Sequence, residues 1–151
     1  MIAICVTSPS PDGSANLDFV PPIYHYLESI PMHAPIPILR SFSETKAREF
    51  YCQFLGFSVD WEHRFDATAP LYLQLRRAEL VLHLSEHHGD ATPGAALLIP
   101  VDDIAALQAE LLAKDYPHAR PGVRDEDWGR IMEVADPFGN KLRFWQRLAQ
   151  S

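Results

Sequence analysis

From residue 34 onward the chain carries one order of secondary-structure signals twice, and this repeat restricts its folding more than any other feature. In the first pass, residues 35–42 read as a strand whose prolines sit near its start, where an edge tolerates them. Ser43 is placed to cap a helix in which Ala47, Phe50, Tyr51, Phe54 and Leu55 recur at helical spacing until Gly56. Residues 57–65 form a second strand. Leu71, Leu73 and Leu75 then alternate with Tyr72 and Gln74, and Leu80, Leu82 and Leu84 alternate with Val81, His83 and Ser85. Both runs have the period of a strand. In the second pass, residues 95–101 form a buried-looking strand. Asp102 or Asp103 caps a helix carrying Ile104, Leu107, Leu111 and Leu112. A weakly marked strand follows near residues 118–123, then two clear ones at 130–135 and 141–146. One such unit cannot bury its apolar face alone. A β-α-β-β-β order written twice therefore implies an α+β fold of two modules, about 34–88 and 94–147, that pair their sheets.

The rest of the chain bounds its function. Its 151 residues suffice for one domain, or two small units with a shared core, and 47% of them are hydrophobic. The net charge of -7 disfavours nucleic acid as a partner, because that binding rests on Lys and Arg contacts to phosphate. It suits cationic ligands. Cys5 and Cys52 form neither a disulfide framework nor a paired metal motif. No apolar run approaches the roughly 20 residues of a membrane span, and the short apolar start breaks at Ser8-Pro9-Ser10-Pro11, so it makes a poor signal peptide. The expectation is a cytoplasmic protein. Residues 1–33 hold five prolines and little periodicity, and are read as an extension of uncertain structure, with Tyr24-His25-Tyr26-Leu27 a short patch within it. Met32 allows translation to begin there, and the upstream stretch is then an appendage; the alternative is an arm that packs on a partner.

Strand alternation sorts the side chains that remain. With the leucines of the third and fourth strands facing the helices, Tyr72, Gln74, His83 and Ser85 face the opposite side. Trp61 and His63 share a face, with Phe65 two residues on. On the last strand Leu142 and Phe144 point inward, which turns Arg143 and Trp145 outward. Phe50, Phe54 and Phe144 are read as ordinary core. A face that mixes large aromatic planes with a few polar tips suits a flat or extended organic ligand. His83-Leu84-Ser85-Glu86-His87 also fits the H-x-x-E-H pattern of inverted zinc proteases. That chemistry needs a helix, and here the histidines lie in a strand pattern, where residues four apart are roughly 13 Å distant. His87-His88 is read as a solvated strand end, and no Ser/His/Asp or Cys/His arrangement stands out.

Ala47-Arg48-Glu49-Phe50-Tyr51 with Leu55-Gly56-Phe57 resembles the first-helix signature of the vicinal oxygen chelate (glyoxalase/bleomycin resistance/dioxygenase) superfamily. Asp136-Pro137-Phe138-Gly139-Asn140 resembles its final turn, and Asp127-Trp128-Gly129-Arg130 ahead of that turn is similar to the bleomycin resistance proteins. The resemblance covers about residues 35–146. It implies modules that curve mixed sheets around a cleft. The superfamily's enzymes hold a divalent metal there, and the four ligand positions fall near Ile36, His83, Ala96 and Arg143. Only His83 has a lone pair to offer, so no metal and no cofactor are expected. Bleomycin-binding relatives sequester the drug unchanged in grooves between two subunits, by aromatic stacking. Trp61 and Trp128 match two of those aromatic positions, and Phe65 a third, shifted by one residue. A fifth-strand Trp of some drug binders is replaced near Leu98, and Arg40 and Arg143 bring positive charge. The resemblance therefore implies a non-catalytic homodimer that binds a small molecule of the glycopeptide antibiotic class, through Trp61, His63, Phe65, Tyr72, Gln74, His83, Trp128 and Arg143, with no membrane partner. The alternative is a metal-dependent lyase or dioxygenase of the same superfamily.

Overall fold

The computed structural model describes residues 31–148. The short patch at Tyr24 to Leu27 and the rest of the extension up to residue 30 lie outside them. The chain divides into Met1–Ala34 and Pro35–Ser151, and every element below belongs to the second unit.

The first module runs β1 (Ile38–Arg40), α1 (Glu44–Ala47), a π-helical continuation over Arg48–Phe54, β2 (Ser58–His63), β3 (Tyr72–Arg77) and β4 (Leu80–Ser85). The second runs β5 (Ala96–Pro100), α2 (Ile104–Ala113), β6 (Val123–Glu126), β7 (Gly129–Ala135) and β8 (Lys141–Arg147). Each module makes one four-stranded mixed sheet, in the orders β1-β4-β3-β2 and β5-β8-β7-β6. In each, the first strand pairs parallel to the last, and the other pairs are antiparallel. The doubled order read from the sequence is therefore the architecture.

Local chemistry sets the boundaries. Ser43 Oγ accepts from the Lys46 amide at 3.4 Å and Asp103 Oδ1 from the Ala106 amide at 2.9 Å, which supplies both helix starts with a side-chain partner. Gly56 ends the first helix at φ +74, a backbone that side chains with a Cβ adopt reluctantly. Three strands depart from expectation. Pro35 and Pro37 have no N–H to donate, so the first strand shrinks to Ile38–Arg40, although the Pro37 carbonyl still accepts from the His83 amide at 2.9 Å. The second strand stops at His63, where Arg64 turns to donate to the Ala69 carbonyl. The weakly marked strand forms at Val123–Glu126 rather than at 118–123, because Pro121-Gly122 cannot sustain a ladder.

The helices and the inner sheet faces close over one shared core. Leu73, Leu75, Leu82 and Leu84 from the first sheet join Met132, Val134, Leu142 and Phe144 from the second, with Phe50, Phe54, Ile104 and Leu111 between. Tyr116 stacks on Phe54 with ring centroids 4.6 Å apart, which brings the second module's loop onto the first module's helix. The wide π-helical turns, marked by the Leu55 amide donating to the Phe50 carbonyl, keep Phe50, Tyr51 and Phe54 all buried.

A polar node crosses the two modules. The Tyr51 hydroxyl donates to Asp136 Oδ2 at 2.7 Å. The Asn140 Nδ2 donates to the same oxygen at 2.7 Å and to the Arg40 carbonyl of β1 at 2.9 Å. Asp136 Oδ1 accepts the amides of Phe138 and Asn140 at 2.9 and 2.7 Å. Burial first, then the Asp136 charge, push the Tyr51 phenol well above its usual range, so it remains a donor. Tyr51→Phe removes one donor from a buried carboxylate. It is expected to lower the unfolding free energy in urea by about 1–3 kcal/mol with an unchanged slope.

Candidate functional site

The face of the first sheet away from the helices carries the site. Trp61 pairs with Gln74 across β2 and β3, His63 with Tyr72, and Gln74 with His83 across β3 and β4. A register shift between Val59 and Trp61 inserts one residue, so Asp60 and Trp61 both reach this face. The Trp61 and Tyr72 rings lie nearly parallel, 5° apart, with centroids 5.8 Å apart. The His83 ring stands edge-on to both, at 5.3 Å from each. Phe65 meets the rings of His63 and His87 edge-on at 4.9 and 6.1 Å. Trp61, His63, Phe65, Tyr72, His87 and Asp90 together line a hollow of about 380 Å³. Phe65 is 79% exposed and Trp61 43%, so this aromatic surface is open to solvent rather than hidden as core.

Behind the hollow runs a hydrogen-bonded chain of fixed direction. Asp60 can only accept, and it takes both Gln74 Nε2 and Arg76 Nε at 2.8 Å. The Gln74 amide nitrogen is thereby committed, and its oxygen faces His83 Nε2 at 3.0 Å. His83 Nε2 must carry the proton, which leaves Nδ1 to accept from the Tyr72 hydroxyl at 2.9 Å. Burial pulls the His83 imidazole below its ordinary range and keeps it neutral, in keeping with this pattern. The Gln74 bond, followed by the Arg76 bond, holds the Asp60 carboxylate low and charged.

The sequence-predicted residues divide. Trp61, His63, Phe65 and Tyr72 converge on the hollow, and Gln74 and His83 support it from behind. Trp128, in the turn between β6 and β7, and Arg143, on β8, belong to the second module and are not among the residues lining it. Trp128, 50% exposed, tilts against Trp145 with centroids 5.6 Å apart. The Trp145 indole N–H donates to the Trp128 carbonyl at 3.2 Å and passes over Gly129, where a Cβ would lie 2.2 Å from its nitrogen. Arg143 is bound to Glu133 at 2.5 Å, with Lys141 at 3.9 Å from the same carboxylate. Arg40 donates to the His87 carbonyl and lies over Phe42, 4.8 Å from its ring centre. Ser85 stands on the expected face, opposite Tyr72, but is fully buried there under the turn it braces: its hydroxyl donates to Asp90 Oδ2 at 2.6 Å and accepts the His87 amide at 3.1 Å. His87 and Asp90 were not legible as site residues. They follow the end of β4, where strand period no longer assigns a face.

The superfamily's metal does not fit these residues. Pairing places Ile38 beside His83 and Leu98 beside Arg143, so the equivalent positions on the first and fifth strands are Ile38 and Leu98, two residues beyond Ile36 and Ala96. Neither has a donor atom, Arg143 is a cation, and both His83 nitrogens are engaged. Glu86 of the H-x-x-E-H pattern accepts the Leu71 amide at 2.9 Å and plays a structural part. Among the described residues no group of three or more His, Cys, Asp or Glu side chains is placed to hold a metal ion.

The His83 chain has a pH signature. With the folded imidazole depressed, the unfolded state binds the extra proton first. The contribution of His83 is therefore intact above the unfolded value of about 6.5 and lost as pH falls through the lower folded value. Thermal scans from neutral to mildly acidic pH are expected to show a larger fall in Tm for the wild type than for His83→Gln. Parallel curves would sink this assignment.

Comparison with known proteins follows this geometry. TnmS3, an antibiotic-binding protein from Streptomyces sp. CB03234, superimposes with a TM-score of 0.62 at 23% identity, over 80% of this chain and 100% of that one. The bleomycin-binding protein of Streptomyces verticillus, solved with copper(II)-bleomycin, gives 0.57 at 26% identity, over 77% and 97%. A glyoxalase-related enzyme from Clostridium phytofermentans gives 0.63 at 18% identity, over 80% and 99%. A search of curated protein sequences finds no match. The family model described as glyoxalase superfamily protein matches residues 24–150, and with most of its length inside that match the chain belongs to the glyoxalase superfamily.

Proposed function

We propose that this chain is a non-catalytic small-molecule binding protein of the bleomycin resistance type, which sequesters a drug or related extended organic ligand. The observation that carries the reading is the solvent-open aromatic hollow of Trp61, Phe65 and Tyr72 with its imidazole edges. Ring planes held open to water offer stacking area to a flat ligand without prior rearrangement. The positions that would supply a metal in a lyase or dioxygenase hold two aliphatic side chains, an arginine and a histidine whose ring nitrogens are both bonded. The structural likeness to antibiotic-binding and bleomycin-binding proteins supports the same reading. No helix among the described residues is long and apolar enough to cross a membrane, and the acidic charge of -7 agrees with a ligand other than nucleic acid.

In this reading Trp61, His63, Phe65 and Tyr72 contact the ligand, and Gln74 and His83 hold Tyr72 in place. Trp128 and Arg143 form a second contact region on the other sheet, and two chains complete each groove. Exposed Ile38, Leu98 and Trp128 on the strands and turns of the two sheets supply the apolar surface that a second copy would cover.

Calorimetry with bleomycin is expected to show binding to the wild type, weakened at least about tenfold in Trp61→Ala, since loss of a large aromatic anchor costs on the order of 2 kcal/mol or more. Trp128→Ala is expected to weaken it as well. Tight binding left intact by Trp61→Ala would remove the stacking role, and no binding of any glycopeptide drug would remove the resistance function. Light scattering at micromolar concentration is expected to give the mass of a homodimer. A monomer throughout would exclude a groove shared between chains.

A further inference from the structure

The hydrogen-bond direction behind the hollow decides what its polar atoms offer a ligand. Because Asp60 accepts at one end, every donor in the chain points toward it, from Tyr72 through His83 and Gln74. Tyr72 has spent its only proton on His83, so its hydroxyl presents lone pairs to the hollow. Asp90, the other acceptor of fixed role in the wall, is a carboxylate. It is set in place by the fully buried Ser85, whose hydroxyl donates to Asp90 Oδ2 at 2.6 Å and braces the turn by accepting the His87 amide. The wall therefore combines two acceptors, one of them charged, with the faces of Trp61, Tyr72 and Phe65. Ring faces carry negative quadrupole density and attract cations. The cations nearest in sequence and space are committed elsewhere, Arg40 to the His87 carbonyl, Arg64 to Glu44 and Ala69, and Arg76 to Asp60.

Resting on the binding-protein reading above, we propose that this hollow is a subsite for a protonated amine. The ammonium pairs with Asp90, its carbon skeleton lies against Trp61 and Phe65, and Tyr72 Oη accepts a further donor of the ligand. Ser85 acts as a positioning residue for Asp90, and the Asp60-Gln74-His83 chain as the device that keeps Tyr72 an acceptor. An anionic ligand of the same shape would meet a carboxylate and a lone pair, answered only by the neutral indole N–H of Trp61 among the wall's groups of fixed role, so the site discriminates by charge as well as by shape.

Calorimetry of the full chain at about pH 8, where imidazole is ordinarily uncharged, tests this with phenethylamine, phenethyl alcohol and hydrocinnamate, which share the ring and differ in the terminal group. Phenethylamine is expected to bind at least about tenfold more tightly than hydrocinnamate, with the alcohol between. Asp90→Asn keeps an oxygen for Ser85 and removes only the charge, so it is expected to abolish most of that preference with an unchanged circular dichroism spectrum. Tyr72→Phe is expected to weaken the amine severalfold and leave hydrocinnamate unaffected. Equal binding of amine and acid, or a preference that survives Asp90→Asn, overturns the proposal. Bleomycin titrated in parallel separates this from the broader reading. Drug binding without any amine preference sinks the amine subsite alone. An amine preference lost in Asp90→Asn, with no drug bound, sinks the resistance role and supports the subsite.

Discussion

The carboxylate of Asp136 is the point on which the two modules depend. It is almost wholly buried and accepts four hydrogen bonds, from Tyr51 of the first module's helix and from Phe138 and Asn140 of the second module's last turn. A buried carboxylate without such donors would carry a desolvation cost of several kcal/mol. The four donors convert that liability into a geometric requirement. The turn must close as it does, and the helix must present Tyr51 to it. Asn140 extends the requirement to the edge of the first sheet through the Arg40 carbonyl. The shared apolar core supplies most of the free energy, yet apolar contacts are non-directional. The polar node is what sets the register of one module against the other.

With both inner faces used by the core, each sheet presents its second face elsewhere, and the two faces have different chemistry. The first carries parallel aromatic planes backed by a directed polar chain. At the equivalent strand pair of the second, where Gln74 faces His83 in the first, Glu133 faces Arg143 as an ion pair. Both Arg143 and Glu133 are partly exposed, so the pair contributes about 0–1 kcal/mol. The guanidinium itself occupies a position at which a metal would require a donor atom. The repeat has kept its backbone order while the two copies have diverged in the residues that face outward.

The helix that carries Tyr51 shows how period and geometry separate. Ala47, Phe50, Tyr51, Phe54 and Leu55 announce a helix, and a helix forms, but from Arg48 to Phe54 its turns are wider than α. Sequence spacing identifies the buried stripe without revealing the pitch, because the choice between a four- and a five-residue hydrogen bond is made by what Phe50, Tyr51 and Phe54 pack against. The same holds for the strand near residue 120. Its alternation is weak, and where it forms is decided by Pro121 and by the partners that β7 offers from Ile131 and Met132.

What the sequence determined by itself were the features written in short-range chemistry. The leucine alternation assigned Tyr72, Gln74 and His83 to one face, Ser43 capped the first helix, and the second cap was narrowed to Asp102 or Asp103, of which the structure uses Asp103. Trp61, His63, Phe65 and Tyr72 were likewise grouped correctly on one surface. Only the tertiary structure decided that Trp128 and Arg143 do not line that surface, that Ser85 is covered on its own face by the turn it braces, and that His87 and Asp90 complete the hollow. The physical reason is that strand period reports which side of its own strand a residue occupies. It carries no information on which sheets face one another, nor on where a loop such as 86–94 returns once the ladder that fixed its direction has ended.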